Sequence, residues 1–349
     1  MYTRLEKLLS DENGILITSP YNMQYFSGFS GGEGAVLVTR GAKLIFTDSR
    51  YTEQAQKEAE QFEVIETNNA RDCICKRIKA DGVRDVLYED RYLTAAEYIA
   101  LSGELDKTAL LPCSAELAKM RMIKTPAELE KLKKAEEIAC RAFRGVLSVI
   151  KPGISENDIA AELEYLMRRG GGGGVSFETI AISGKKTSLP HGKPDGRQVE
   201  YGDFVTMDFG CTVDGYCSDM TRTVVVGKAN AEQRKIYDTV RRAQQAGLDF
   251  LRSGVSAKAA DNAARSVIES AGYGKYFGHS LGHGVGLQIH ELPNLSPRAE
   301  LMLEENMTVT CEPGIYIPDF GGVRIEDMVC IKGNSAENFT YETKELLEL

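Results

Sequence analysis

The apolar positions change spacing along the chain, and those changes predict its elements. Up to about residue 120, short apolar runs alternate with charged stretches at helical spacing. Gly14 to Thr18, Ala35 to Val38, Leu44 to Thr47, Phe62 to Ile65 and Asp85 to Tyr88 read as strands. Between them, Asp48-Ser49-Arg50-Tyr51 opens a helix running from Glu53 to Glu60, with Asp48 or Ser49 as its cap, and another lies near Asp72 to Ala80. Alternating strands and helices make residues 1–120 a small α/β domain. Leu111-Pro112 and Lys124-Thr125-Pro126 bracket a boundary, so residues 121–349 form the second domain. There Leu129, Leu132, Ala135, Ala139 and Phe143 recur at three or four, predicting a helix of about 20 residues with Thr125 as cap and Pro126 first. Further helices are predicted at Glu156 to Arg169, Ala231 to Leu251 and Ala257 to Ala271. The Gly170 to Gly174 run is expected to be flexible, either a mobile loop near a pocket or a plain linker. A duplicated ββ/αα arrangement stays open.

Thr206 to Thr221 reads as a β-hairpin, because Asp214-Gly215 has the chemistry of a two-residue turn. Val213 then faces Tyr216, Asp208 faces Thr221 and Gly210 faces Asp219. Pleat alternation brings Asp208 and Asp219 to one face, with Cβ atoms roughly 7 Å apart or less. Two carboxylates so placed repel unless cations lie between them. Two solvated aspartates on an exposed face are the plain alternative, and the apolar and aromatic neighbours argue against it. Met307 to Gly314 reads as a strand ending at Glu312. Gly322 to Val329 reads as one strand, with Arg324 and Glu326 on one face and Ile325 on the other. With a histidine, these four acids make a hard-oxygen site suited to a pair of divalent ions.

The histidines sharpen this picture. Of 4 in the chain, three (His279, His283 and His290) fall in Phe277 to Glu291, and the fourth is His191 in Leu189-Pro190-His191-Gly192. Gly278, Gly282, Gly284 and Gly286 make helix costly there, so extended or loop backbone is expected. Satisfied structural histidines in a Gly-rich turn remain the alternative.

Composition excludes more than it identifies. The 349 residues are 42% hydrophobic and 27% charged, and the net charge of −9 disfavours a nucleic-acid partner. No apolar run reaches a membrane span, and the N-terminus lacks the apolar core of a signal peptide. The 8 cysteines form neither a zinc knuckle nor a disulfide framework, which fits reduced thiols in a cytoplasm. Gly31-Gly32-Glu33-Gly34 lacks a following Lys-Ser/Thr and precedes a strand, so it is read as a turn.

Taken together, Leu-Pro-His-Gly at 189–192, Asp-Phe-Gly at 208–210, Asp-Gly-Tyr-Cys-Ser-Asp-Met-Thr-Arg-Thr at 214–223, Gly-His-Gly-Val-Gly-Leu-x-x-His-Glu at 282–291, Glu-Pro-Gly-Ile-Tyr at 312–316 and Arg-Ile-Glu-Asp at 324–327 form one ordered set. In them the chain resembles the proline-specific pita-bread metallopeptidases, aminopeptidase P and prolidase. Tyr21-Asn22-x-x-Tyr25-x-x-Gly28-Phe29 and Thr47 to Tyr51 resemble that family's smaller domain. The resemblance implies an α/β (α+β) protein with a creatinase-like N-terminal domain and a pita-bread catalytic domain. It implies a metal-dependent exopeptidase cleaving between an N-terminal residue and a following proline. Asp208, Asp219, His283, Glu312 and Glu326 would be the ligands of two divalent ions, Asp219 and Glu326 bridging them. Manganese comes first, with cobalt or zinc as alternatives. His191, His279, His290 and Arg324 would line the substrate site; His191 and His290 would act on oxyanion and leaving nitrogen, and Glu312 would steer the proton of the water. Peptides with proline second are the implied substrates, and a homodimer the implied assembly.

One departure stands out. The family often carries Asn-Ser-Ala before Leu-Pro-His, whereas this chain has Lys186-Thr187-Ser188, which puts that loop's substrate contacts in doubt. The short chain without long insertions leans towards an open site and aminopeptidase P-like activity, with dipeptidase activity as alternative. Methionine aminopeptidase, creatinase-like hydrolysis and a metal-free binding module fit less well, given the N-terminal domain and the complete ligand set.

Overall fold

The computed structural model describes residues 2–349, with side chains from Arg4 onward. The chain divides into two compact units, Met1–Met120 and Arg121–Leu349. None of the described helices is long and apolar enough to cross a membrane.

The first unit is built on a six-stranded mixed sheet. Strand Asn13–Ile17 lies inside it, antiparallel to Ala35–Thr39 and parallel to Asp85–Tyr88. Lys43–Thr47 and Glu63–Glu66 continue one edge, and Ala109–Pro112 the other. Leu16, Leu37, Phe46, Ile74, Ile78 and Val86 pack beneath it in an apolar core. The helix after Thr47 differs from expectation. It spans Thr52–Glu58 with Tyr51 at its cap, and no side chain caps it. Asp48 instead accepts from the Arg50 backbone at 2.9 Å and from its guanidinium, so it closes a local turn. Helix Ala95–Glu104 was not anticipated, although its Thr94-x-x-Glu97 capping box stands in the sequence.

In the second unit a helix pair on a sheet occurs twice. Pro126–Val146 and Glu156–Arg169 cover a three-stranded sheet of Ile180–Ser183, Phe204–Phe209 and Met220–Val225. Thr125 with Glu128 and Ser155 with Asp158 form the capping boxes that start the two helices. Ala231–Phe250 and Ala257–Ser270 cover a five-stranded sheet in the order Glu291–Leu295, Gly282–Gly284, Thr308–Cys311, Asp327–Ile331, Ala336–Asn338.

The aspartate hairpin keeps one register from end to end. Asp208 pairs with Thr221 and Val213 with Tyr216, across a turn in which Asp214 and Gly215 have φ of 49° and 83°. Where the two arms draw together, a Cβ on Gly210 would lie 1.9 Å from the Ser218 carbonyl, so only glycine fits.

Two expectations need correcting. Gly322 to Val329 is not one strand. Gly321–Arg324 pairs with Gly314–Ile317, and Asp327–Ile331 pairs with Thr308–Cys311. The chain changes partner at Ile325-Glu326, where Glu326 N–H donates to the Thr221 carbonyl at 3.1 Å. Nor is the glycine run free backbone. Gly172 N–H donates to Met167 O (3.0 Å), Gly173 N–H to Thr212 O (2.7 Å), and Gly174 O accepts from Thr212 N–H (2.9 Å). At Gly172 and Gly173 the chain lies close against Cys211 and Thr212, where a Cβ would sit 3.1 and 3.2 Å from their side chains.

Candidate metal centre and pocket

Strands from both sheets bring five candidate ligands together at one cavity of about 490 Å³, all in the second unit. Asp208 is the last residue but one of strand Phe204–Phe209, and Asp219 immediately precedes strand Met220–Val225. His283 lies on the short strand Gly282–Gly284, whose backbone passes so close to its neighbour that a Cβ on Gly282 would sit 2.1 Å from Thr310 O. Glu312 follows strand Thr308–Cys311, and Glu326 occupies the partner change described above. Ligand atoms of Asp219, His283 and Glu326 all lie within 4.8 Å of one another.

The donor set fits cations. His283 Nδ1 lies 3.1 Å from its neighbour's carbonyl, Gly284 O, which takes its proton. Burial, helped by His290, pushes the imidazole pKa down to about 3, so the ring is neutral and Nε2 carries a lone pair. That lone pair faces Asp219 Oδ2 at 3.5 Å and Glu312 Oε1 at 3.4 Å. Acceptors facing acceptors in a buried site ask for a positive ion between them. Asp208 Oδ1 is buried without a hydrogen-bond partner, while Oδ2 accepts from Arg324 at 2.6 Å. Burial and then mutual repulsion raise the carboxyl pKa values. Burial, with Asp208 adding repulsion and Arg324 opposing, lifts Glu312 to about 8; burial and neighbouring acids lift Asp219 and Glu326 well above the usual range. Without cations the floor is therefore a crowd of acids held partly protonated.

Named partners surround the acids and fix most of them. Thr221 donates to Glu326 Oε2 at 2.6 Å and accepts from Arg324 Nε at 3.0 Å. Thr310 donates to Glu312 at 3.1 Å and accepts from His283 N–H at 3.1 Å. Glu136, fully buried on helix Pro126–Val146, accepts from the Asp219 backbone N–H at 3.2 Å. Tyr316 accepts from Arg324 Nη1 at 2.8 Å and meets His279 Nε2 at 2.9 Å. Burial, with Arg324 nearby, pushes the His279 pKa down to about 4, so the Tyr316 hydroxyl donates to a neutral ring. Thus Arg324 and His279, expected to face substrate, reach the cavity wall while tied to Asp208 and Tyr316.

His191 and His290 sit on loops at the open side of the cavity and are exposed. The His290 ring stands edge-on to His283 with centroids 4.2 Å apart. Next to it, buried Glu291 lies 2.8 Å from Lys124 Nζ and 3.5 Å from Arg121 Nη2. Thr221, Tyr316, Glu136 and this ion cluster were not singled out from the sequence. Thr221 could have been, since the hairpin register places it opposite Asp208. Tyr316 and Glu291 stand inside quoted motifs; nothing local marks Glu136.

Comparisons with known proteins converge on the same reading. Residues 130–333 match the family described as Metallopeptidase family M24, and residues 3–123 match the Creatinase/Prolidase N-terminal domain. The chain is 38% identical to a Xaa-Pro dipeptidase of Pyrococcus furiosus over 99% of this chain and 100% of that one. A solved Xaa-Pro dipeptidase from Bacillus anthracis superposes with a TM-score of 0.96 at 41% identity, covering 100% of this chain and 99% of that chain. An X-Pro aminopeptidase from Thermotoga maritima does so with 0.92 at 37% identity, covering 99% and 100%.

Proposed function

The chain belongs to metallopeptidase family M24, with a creatinase-type N-terminal domain and a pita-bread catalytic domain, and on that premise we propose that it hydrolyses the bond between an N-terminal residue and a following proline. The observation that carries this reading is the neutral His283 Nε2 facing two buried carboxylates, a donor set that demands cations. Asp208, Asp219, His283, Glu312 and Glu326 would hold two divalent ions. When bound, such ions lower the pKa of water to near neutrality and polarise a carbonyl.

The remaining chemistry falls to the chain itself. Glu312, which accepts from Thr310 at 3.1 Å, takes the proton of the attacking water. His191 and His290, at the open side, stabilise the developing oxyanion and hand a proton to the departing proline nitrogen. Arg324 holds Asp208 in place at 2.6 Å. Phe177, Ile180, Pro190 and Ile289 give the cavity an apolar side suited to a pyrrolidine ring.

Dipeptides are the first substrates to test, supported by the Pyrococcus and Bacillus dipeptidases. The second reading, cleavage of longer peptides, is favoured by the similarity to the Thermotoga aminopeptidase. Chain length does not separate them, because the Pyrococcus dipeptidase is matched over 100% of its length. Manganese, a homodimer and a cytoplasmic setting complete the proposal; all 8 cysteines are free thiols, as a reducing compartment requires. Parallel kcat/KM measurements on Ala-Pro and an Xaa-Pro-Pro peptide with the Mn-loaded protein decide the matter. Faster turnover of Ala-Pro supports the dipeptidase, faster turnover of the tripeptide the aminopeptidase, and inertness towards both defeats the proposal.

A further inference from the structure

His191 stands in a loop with little packing of its own, so something must hold it. The loop leaves strand Ile180–Ser183, makes a short 3-10 turn at Gly184–Ser188, passes through Leu189 to Gly192 and returns at Asp195. Its two ends meet at one carboxylate. Glu156, the first residue of helix Glu156–Arg169, has a fully buried side chain. Its Oε1 accepts from the Ser183 N–H at 2.7 Å and the Ser183 hydroxyl at 2.8 Å, at the start of the loop. Its Oε2 accepts from Lys186 Nζ at 2.7 Å and from the Asp195 N–H at 3.2 Å, at the end. Lys186 also donates to Asp195 Oδ2 at 2.6 Å, closing a three-residue circuit. The helix adds Asn157 N–H to Asp195 O at 3.1 Å.

This accounts for the departure at Lys186-Thr187-Ser188. None of the three lines the cavity. Lys186 turns back onto Glu156 and Asp195, and the Thr187 hydroxyl donates to Gly184 O at 2.6 Å while accepting from Gly322 N–H at 2.8 Å. These residues hold the loop. At its far side, Arg324 Nη1 donates to Pro190 O at 3.3 Å, one residue from His191. The loop is thus fixed at both ends and near its tip, and His191 projects from it exposed.

We propose that Glu156 and Lys186 are positioning residues that clamp this loop and thereby set where His191 meets the substrate. The inference rests on the peptidase reading only for the identity of that substrate. Buried Glu156 with its partly buried Lys186 partner makes a firmer tether than an exposed ion pair would, because solvent and salt screen it less. The effect of a loosened loop on rate follows from geometry, since small misplacements of a catalytic group are costly.

The test uses Lys186→Met in the full-length protein. The side chain is 19% exposed and Glu156 keeps three other donors, so the variant should fold. Expected are faster amide exchange confined to residues 186–195, unchanged manganese stoichiometry, and kcat/KM on the better Xaa-Pro substrate lower by roughly 10- to 100-fold. Lys186→Arg, which can reach both carboxylates, should restore most of that rate. In a His191→Ala background, Lys186→Met should change kcat/KM by less than about twofold, because the clamp then has nothing left to position. Unchanged exchange over 186–195, or full additivity with His191→Ala, would overturn the proposal. If the wild-type protein cleaved no Xaa-Pro bond, the peptidase reading would fail alone, and exchange would still decide whether the clamp holds the loop.

Discussion

Asp219 and Glu326 lie at the floor of the cavity, buried and bound into two sheets, whereas His191 and His290 ride on loops at its open side. At the floor, position is set by strand register. Asp208 faces Thr221 and is held by Arg324, Thr221 and Thr310 donate to Glu326 and Glu312, and the Asp219 main chain is bonded to Glu136. Charge is the cost of that arrangement, because four acids are crowded together at one buried site. At the open side the balance is reversed. His191 carries little burial cost, but its place depends on the Glu156–Lys186–Asp195 circuit some distance along the chain. The comparison teaches that the buried acids take their places from sheet register, whereas exposed His191 takes its place from a tethered loop.

The largest effect should come from the floor. Asp219→Asn removes one of the shared charges and should lower kcat/KM by about 10³-fold or more, which is about 4 kcal/mol of transition-state stabilisation. In chelator its melting temperature should not fall, since one repelling carboxylate has gone. Near-wild-type turnover at saturating manganese would erase the distinction between floor and open side. Next comes His290→Ala, which should retain both ions yet lose about 10²–10⁴-fold in rate, as expected of a group in proton transfer. Loss of metal in that variant, measured by elemental analysis, would move His290 to the floor.

A smaller effect concerns pH. In the bare site Glu312 titrates at about 8 instead of 4.5, so the folded chain holds a proton that the unfolded chain releases. More protons on the folded state mean that its stability falls as pH rises across that window. Bound cations displace the proton and remove the penalty. The gap in melting temperature between manganese-loaded and chelator-treated protein should therefore widen from pH 5 to pH 8. A constant or shrinking gap would mean that burial does not keep Glu312 protonated in the bare site.

The floor was largely legible in the sequence, and for a local reason. A two-residue Asp214-Gly215 turn fixes a register, and period-two alternation does the rest for Asp208 and Asp219. Thr125 as cap with Pro126 behind it marked a helix start in the same way. Local rules misled where the chain changes partner. Ile325 and Glu326 continue the alternation of one strand, yet they lie between two different sheets, because the Thr221 carbonyl bonds Glu326 N–H there. The five-glycine run looked free because nothing in it names Thr212, its hydrogen-bond partner in the aspartate hairpin. Lys186 and Glu156, Tyr316 and His279, and Glu136 and Asp219 meet only through the tertiary fold, so no periodicity could announce them.

The central claim is that five side chains at the floor hold a pair of ions. Calorimetric titration of the metal-free protein with manganese tests it most directly. Two ions per chain are predicted for the wild type and for His290→Ala, and at most one with wild-type affinity for Asp219→Asn. No binding to the wild type, or two undiminished sites in Asp219→Asn, would contradict the account.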